Sequence, residues 1–325
     1  EINLGLKISL FDERLRFSAD YYKKNNTNLL VKRTIPIYYG GGYIFQNIGE
    51  MKNEGLELSL EAIPVKLDNF YWDTRLGLST NSQMITKLYE NESISFNNTD
   101  VLIPDFIAKE NEPLGAIIGY NYQGRIKNMD PSEYTGANSR CVKNLGLAYL
   151  RGDTLNPKRN SIAEGDKMVI GNSIPDFTFN WLNNIEYKNF YCEMLWYGAI
   201  GVDKYNATKA STYITGLNSD VRDIVMDTLK FHTTNIFYES SYFVEDASFI
   251  RLKTLSFTYS QPKKIASKIK MEYTLSFENL ITITKYSGYD PEASIYTDNN
   301  FTDNAIDKGA YPNPRGVFFS VNMTF

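Results

Sequence analysis

The stretch LELSLEAIPVKLDNFYWDTRLGLS, residues 56–79, decides the fold. Leu56, Leu58, Leu60 and Ala62 alternate with Glu57, Ser59 and Glu61. After the short turn Lys66-Leu67-Asp68-Asn69, Trp72, Thr74, Leu76 and Leu78 alternate with Asp73, Arg75, Gly77 and Ser79. A period of two marks a strand with one apolar and one polar face. Two such arms around a few turn residues make a hairpin.

The same alternation runs outward through most of the chain. It places strands at about 2–11, 14–24, 44–64, 69–82, 174–188, 190–202, 243–260, 271–283 and 315–325, with one or two more expected within 85–125. Long helical periods are missing. The one helix candidate is SDVRDIVMDTLKF (219–231), with Ser219 as its cap. The fold class is therefore all-β.

Strand length and loop placement narrow the architecture. Soluble strands average about five or six residues, whereas a strand crossing a membrane in a barrel needs about nine to eleven. Several strands here reach the longer figure. Their connections alternate in size. Short turns lie at Phe11-Asp12-Glu13-Arg14, Lys66-Leu67-Asp68-Asn69 and Lys188-Asn189, and a Lys-rich one spans 261–270. Long polar stretches occupy 25–43, 83–173, 203–242 and 284–314. Short turns at one end and long loops at the other are the outer-membrane barrel arrangement, which a sandwich has no reason to copy. Tyr21, Tyr22, Phe70, Tyr71, Trp72, Phe190, Tyr191, Trp196 and Tyr197 sit near strand ends, where interfacial girdles belong. One strand departs from the pattern. Arg251 and Lys253 share parity with Leu255, Phe257 and Tyr259, so either a bulge resets the register or both cations stand above the lipid band. Facing lipid at the midplane, each would cost about 2–4 kcal/mol.

Composition sets outer bounds. In 325 residues there are 24 Tyr and 19 Phe, and the net charge is −4, which argues against nucleic acid as a partner. No run of 18 apolar residues exists, so no transmembrane helix is expected. The two cysteines, Cys141 and Cys192, do not suggest a disulfide framework. The chain opens on Glu1 in strand-like alternation, as a piece of something longer would.

Four stretches carry a family resemblance: SADYYKKNNTNLL (18–30), NIGEMKNEGLELSL (47–60), FVEDASFIRLKTLSFTYSQP (243–262), and SFENLITITKYSGYDPEAS (276–294) leading to DKGAYPNPRGVFFSVNMTF (307–325). In this order they resemble the C-terminal half of SusC/RagA-type TonB-dependent transporters of Gram-negative outer membranes. The resemblance implies that residues 1–325 are the C-terminal part, about 9–11 antiparallel strands, of a 22-stranded transmembrane β-barrel with long extracellular loops and short periplasmic turns. Plug and first strands are not in this chain. It further implies TonB-dependent import of glycan or peptide fragments. The implied partners are a SusD-like surface lipoprotein, TonB-ExbB-ExbD, the barrel-assembly machinery and outer-membrane lipid. The closing Phe325 matches the assembly signal of such barrels.

Readings from other classes stand beside this one: a passive porin or structural barrel, and a soluble β-rich carbohydrate-binding module. Candidate substrate contacts are the loop tyrosines Tyr38, Tyr39, Tyr43, Tyr120, Tyr122 and Tyr134, whose rings can stack on sugars or peptide side chains. The acidic run Asp290, Glu292, Asp298, Asp303 and Asp307 reads as a substrate entrance, a lid contact or a solvated loop. Catalysis is not expected. His232 is the single histidine, Glu57 and Glu61 read as lumen wall rather than as a glycosidase pair, and the glycines at 40–42 lack the context of a phosphate cradle. No metal or cofactor is expected either. The stretch 151–166 before VIGNSIPDF (169–177) lacks calcium-loop spacing. If the faces are assigned correctly, Leu58 or Phe277 to Arg impairs insertion, whereas Ser59 or Ser276 to Arg is tolerated.

Overall fold

The structure, a computed structural model, describes residues 1–35, 37–88, 94–96, 105–125, 139–142, 147–150, 166–212, 238–262, 270–292 and 305–324. Nine of its strands form one antiparallel sheet whose spatial order follows the chain: β1 (Ile2–Leu10), β2 (Leu15–Thr34), β3 (Tyr43–Leu67), β4 (Phe70–Lys87), β5 (Phe177–Tyr187), β6 (Phe190–Ile200), β7 (Phe249–Ser260), β8 (Lys270–Thr284) and β9 (Gly316–Thr324). The sheet is open, with β1 and β9 as its edges, so it forms a wall segment rather than a closed barrel.

Register keeps the alternation in phase across the wall. One rung runs Ile8, Phe17, Leu60, Leu76, Trp181, Trp196, Leu252 and Ile281. The next runs Ser9, Arg16, Glu61, Arg75, Leu182, Leu195, Thr254, Glu278 and Gly316. One face is therefore almost wholly apolar and the other largely polar. Large apolar side chains stand exposed on the first: Leu4 is 65% exposed and Phe319 67%. A soluble module cannot leave so large a contiguous apolar surface to water. A barrel wall turns it to lipid and its polar face to the lumen.

The girdle expected from the sequence divides between the faces. Tyr21, Phe70, Trp72, Phe190 and Trp196 lie on the apolar side. Tyr22, Tyr71, Tyr191 and Tyr197 lie on the polar side, because each is one residue out of phase with its neighbour. The apolar face also carries Asn183 among its tryptophans. The Trp72 indole N–H donates to Asn183 Oδ1 at 3.3 Å and the Trp181 indole to Thr74 Oγ1 at 2.9 Å. Indole donors in hydrocarbon find no water, so these two acceptors supply the missing partners.

Two bulges matter. In β3 the register shifts between Ala62 and Val65, which lets Pro64, a residue without an N–H, sit inside a paired strand. Arg14 donates to the Ile63 and Pro64 carbonyls freed there, at 3.2–3.3 Å. In β7 the shift at Lys253 puts Arg251 on the polar rung with Ser59, Gly77 and Asn180 while Leu252 and Leu255 both stay apolar-facing. Of the two explanations for the misplaced cations, the bulge is the correct one.

The short turns share one end of the wall. Lys188 N donates to Asn69 O at 3.0 Å, and Ser260 N to Asn189 O at 2.8 Å. At the other end the long connections fold into a cap. Met168–Asn172, Ala116–Gly119, Asp105–Ala108 and Ile94–Phe96 form one small sheet. Val244–Asp246, Asp203–Asn206 and Ile306–Asp307 form another. The cap and the wall top share a core of Ala199, Val202, Ala247, Phe249 and Tyr286.

Several boundaries differ from the sequence expectation. The stretch 25–43 is largely the paired ribbon that prolongs β2 and β3, because alternation there is masked by polar residues on both faces. The strand expected at 243–260 is broken at Ala247-Ser248 into a cap strand and β7. The strands within 85–125 beyond β4 are cap strands of three or four residues, not wall strands. The helix candidate 219–231 lies outside the described residues.

Candidate functional site

The polar residues that the fold gathers most tightly stand where the last long loop meets the wall. Arg251, 2% exposed, projects from β7 on the polar face. Its Nη2 donates to Asp290 Oδ1 at 2.6 Å, its Nη1 to Glu292 Oε2, and its Nε to Thr282 Oγ1 at 2.9 Å. Lys253 Nζ reaches both Glu292 oxygens at 2.8 Å. The remaining lone pairs are used as well. Asp290 Oδ2 accepts from Asn313 N at 2.9 Å, Asp290 Oδ1 from Glu292 N at 2.8 Å, and Glu292 Oε2 from Asn313 Nδ2 at 3.3 Å. Buried charges are tolerated when paired and hydrogen-bonded in this way. Burial raises the Asp290 carboxyl, but Arg251 and the Glu292 and Asn313 amides outweigh it and hold it below the usual carboxylate range.

A second group sits behind this one in the cap. Lys204 is 4% exposed, and burial pushes its ammonium down to about 8 against the pull of Asp307, Asp290 and Glu292. The Tyr286 hydroxyl donates to Asp307 Oδ2 at 2.8 Å, and burial together with that carboxylate drives it far above the phenol range. Glu245 accepts from Lys209 at 2.7 Å and from Ser287 N and Oγ at 2.9 and 2.8 Å. Burial raises Glu245, but these donors win and lower it.

The sequence-level candidates scatter. Tyr38 and Tyr39 form a short helical turn at the tip of the β2–β3 ribbon, 80% and 76% exposed, with ring centroids 4.5 Å apart. Tyr43 starts β3 beside them, 58% exposed, edge-on to Phe45 at 5.7 Å. Tyr120 is buried in the cap and lies 5.7 Å from Lys167 Nζ. Tyr122 is half-buried, its N–H donating to Ser241 Oγ at 2.9 Å and its ring edge-on to Tyr242 at 5.3 Å. Tyr134, Phe325 and His232 lie outside the described residues. Of the acidic loop, Asp290 and Asp307 are buried and ion-paired or hydrogen-bonded rather than solvated. The sequence signal for this cluster was the pair of cations out of phase in β7, which needed partners. Which acids they met could not be read from spacing.

The polar face between β2 and β5 carries a depression of about 330 Å³ lined by Ser18, Asp20, Glu57, Ser59, Ser79, Thr178 and Asn180. Gly77 stands under it, and a Cβ there would come within 2.7 Å of the Asn180 side chain. Among the described residues no group of three or more His, Cys, Asp or Glu is placed to hold a metal.

A model of the family described as TonB dependent receptor-like, beta-barrel matches residues 1–280. TonB-dependent receptor P3 of Formosa agariphila is 31% identical over 342 residues, covering 100% of this chain and 34% of that protein. TonB-dependent receptor SusC of Bacteroides thetaiotaomicron is 22% identical, covering 99% of this chain and 31% of SusC. Among solved structures, that of the RagAB peptide importer in its closed-closed state superposes with a TM-score of 0.74 at 20% identity, over 99% of this chain and 34% of the matched chain. The chain thus spans about a third of the length of these relatives.

Proposed function

The chain belongs to the TonB-dependent receptor β-barrel family, and on that premise we propose that residues 1–325 supply the last strands of an outer-membrane transporter importing glycan or peptide fragments. The observation that carries this reading is the wall itself. One apolar face continues in register across nine strands, with short turns tied together at one end and a folded cap at the other. A surface of that kind is matched by lipid, and its polar reverse side by a hydrated passage.

Energy for uptake comes, in this reading, from TonB-ExbB-ExbD acting on the part of the protein that precedes these strands. A SusD-like surface lipoprotein closes over the cap. Tyr38, Tyr39 and Tyr43 are the best-placed of the candidate tyrosines to meet an arriving substrate, since their rings are open to solvent at the long-loop end. Tyr120, Tyr122 and Tyr134 are secondary candidates. In this reading Phe325 serves barrel assembly.

The test uses the full-length receptor in its own outer membrane. Fluorescent oligosaccharide and oligopeptide pools are offered to cells with and without functional TonB. Uptake of one pool that disappears without TonB, and falls in a Tyr38, Tyr39, Tyr43 triple alanine variant with unchanged surface level, is the expected result. Uptake indifferent to TonB identifies a passive porin and overturns the proposal.

A further inference from the structure

We propose that the segments 285–292 and 311–315 fold inward to form a constriction inside the barrel, and that Arg251 and Lys253 hold it in place and so set the size of what passes. The proposal rests on the reading of the polar face as the lumen of an outer-membrane barrel.

Three observations carry it. The first is level. Arg251 is flanked on its own strand by Ile250 and Leu252, which point to the apolar face, and their β8 neighbours Ile283 and Ile281 are 59% and 43% exposed there. Outside the wall, this height is still apolar and belongs to lipid. Inside the wall, at the same height, lie Asp290 and Glu292. The loop therefore reaches down into the barrel rather than standing above it.

The second is connectivity. Asp290 and Glu292 lie on the outgoing limb of the loop and Asn313 on the returning limb, yet both limbs close on the same two carboxylates. Asn279 Nδ2 adds a bond to Pro314 O at 3.0 Å from the register shift in β8. One pair of wall cations thus fixes both limbs. The third is geometry. A bulge turns β7 so that two cations two residues apart address one carboxylate, and bulges are a recurrent means of re-aiming side chains beside functional sites. A straight strand would send Arg251 to lipid.

The fork of Arg251 matters as well as its charge. It addresses Asp290, Glu292 and Thr282 with three separate nitrogens held in one plane, a fixed geometry that a compact ammonium on a flexible stem does not reproduce. Arg251 is accordingly a positioning residue. It acts through the loop and needs no contact with the solute.

The experiment measures access to the lumen in the full-length receptor in intact outer membranes. Ser256, on the polar face below Arg251, is replaced by Cys in a background with Cys141→Ser and Cys192→Ala. A small charged maleimide and a maleimide carrying a polyethylene glycol chain are applied from outside. In the otherwise native protein the small reagent labels much faster than the large one. Arg251→Met is expected to raise the large-to-small rate ratio on the order of tenfold as the loop opens locally, and Arg251→Lys to raise it less. Hydrogen exchange at Glu292 and Asn313 is expected to quicken while Ser287, held by Glu245, stays protected. Unchanged ratios in a folded Arg251→Met protein overturn the proposal. If that variant does not insert, the pair Asp290→Asn and Glu292→Gln leaves the wall intact and is read in the same way. Loss of the native protein from the membrane fraction is a separate outcome, which refutes the barrel reading instead.

Discussion

Replacing Leu60 with Arg tests the assignment of the two faces most directly. Leu60 lies on β3 between Phe17 and Leu76 on the apolar face and is 38% exposed in the sheet. Each residue of a barrel strand rises ~3.4 Å and, at a tilt of ~40°, climbs ~2.6 Å along the membrane normal. Allowing for the bulge at Ile63-Pro64, Leu60 then lies ~15 Å above Leu67 at the short-turn end, near the middle of an apolar band ~25 Å tall. A lipid-facing Arg at that depth costs about 2–4 kcal/mol, which is roughly thirtyfold to a thousandfold in a folding equilibrium. Leu58, ~5 Å further from the middle on the same scale, is expected to suffer less. Ser59→Arg points the same side chain into the hydrated depression beside Ser18 and Gly77 and is expected to cost little. Reversible folding of the full-length receptor into phospholipid vesicles, followed by denaturant titration, measures all three. Equal stabilities for Leu60→Arg and Ser59→Arg would refute the reasoning, because they would mean that neither face meets lipid.

Further expectations follow from the same wall and cap. Asn183→Leu removes the acceptor of the Trp72 indole and leaves a donor without water, so it is expected to destabilise the barrel by about 1–3 kcal/mol despite the gain in hydrophobicity; denaturant titration of the variant checks this, and a more stable Leu variant would contradict the role given to Asn183. Asp290 and Glu245 have carboxyls held below their usual range when folded, so their contribution is present above the unfolded pKa and is lost as pH falls through the folded one. Hydrogen exchange of 286–292 should therefore lose protection on acidification well before the wall does. Lys204 has linkage of the same sign in a more alkaline window. Its folded pKa of about 8 lies below the usual 10.5, so the unfolded chain holds more protons between those values and cap stability should rise with pH across that window. A Lys204→Met variant should flatten that rise, and a cap whose protection is indifferent to pH from 8 to 10.5 would count against the buried ammonium.

What the sequence determined by itself was the wall. Alternation is a local property, and β3 and β4 display it in Leu56–Ala62 and Trp72–Leu78 without reference to anything distant. Turn size is local too, so the segregation of short turns from long loops was legible, and with it the membrane-barrel fold. The ends of β2 and β3 were less so. Beyond the lipid band neither face of a strand is apolar, and the pattern that marks a strand disappears although the pairing from Asn25 to Tyr43 continues. Four of the nine expected girdle residues were misassigned for a related reason. In pairs such as Tyr21-Tyr22 or Trp196-Tyr197 an aromatic residue is amphipathic enough to stand on either face, and only register chooses.

The tertiary structure alone decided the inner cluster. Arg251 and Lys253 announced themselves as a break in phase, but a bulge and a shift above the lipid band explain such a break equally well. The choice depends on partners 39 to 41 residues away in the chain. Charges buried at that height must be paired, and the pairing is made by Asp290 and Glu292 in a loop whose own sequence looks merely acidic. Side-chain alternation is written by neighbours two residues apart, whereas a buried ion pair is written by the meeting of distant segments, and no period in the chain records it.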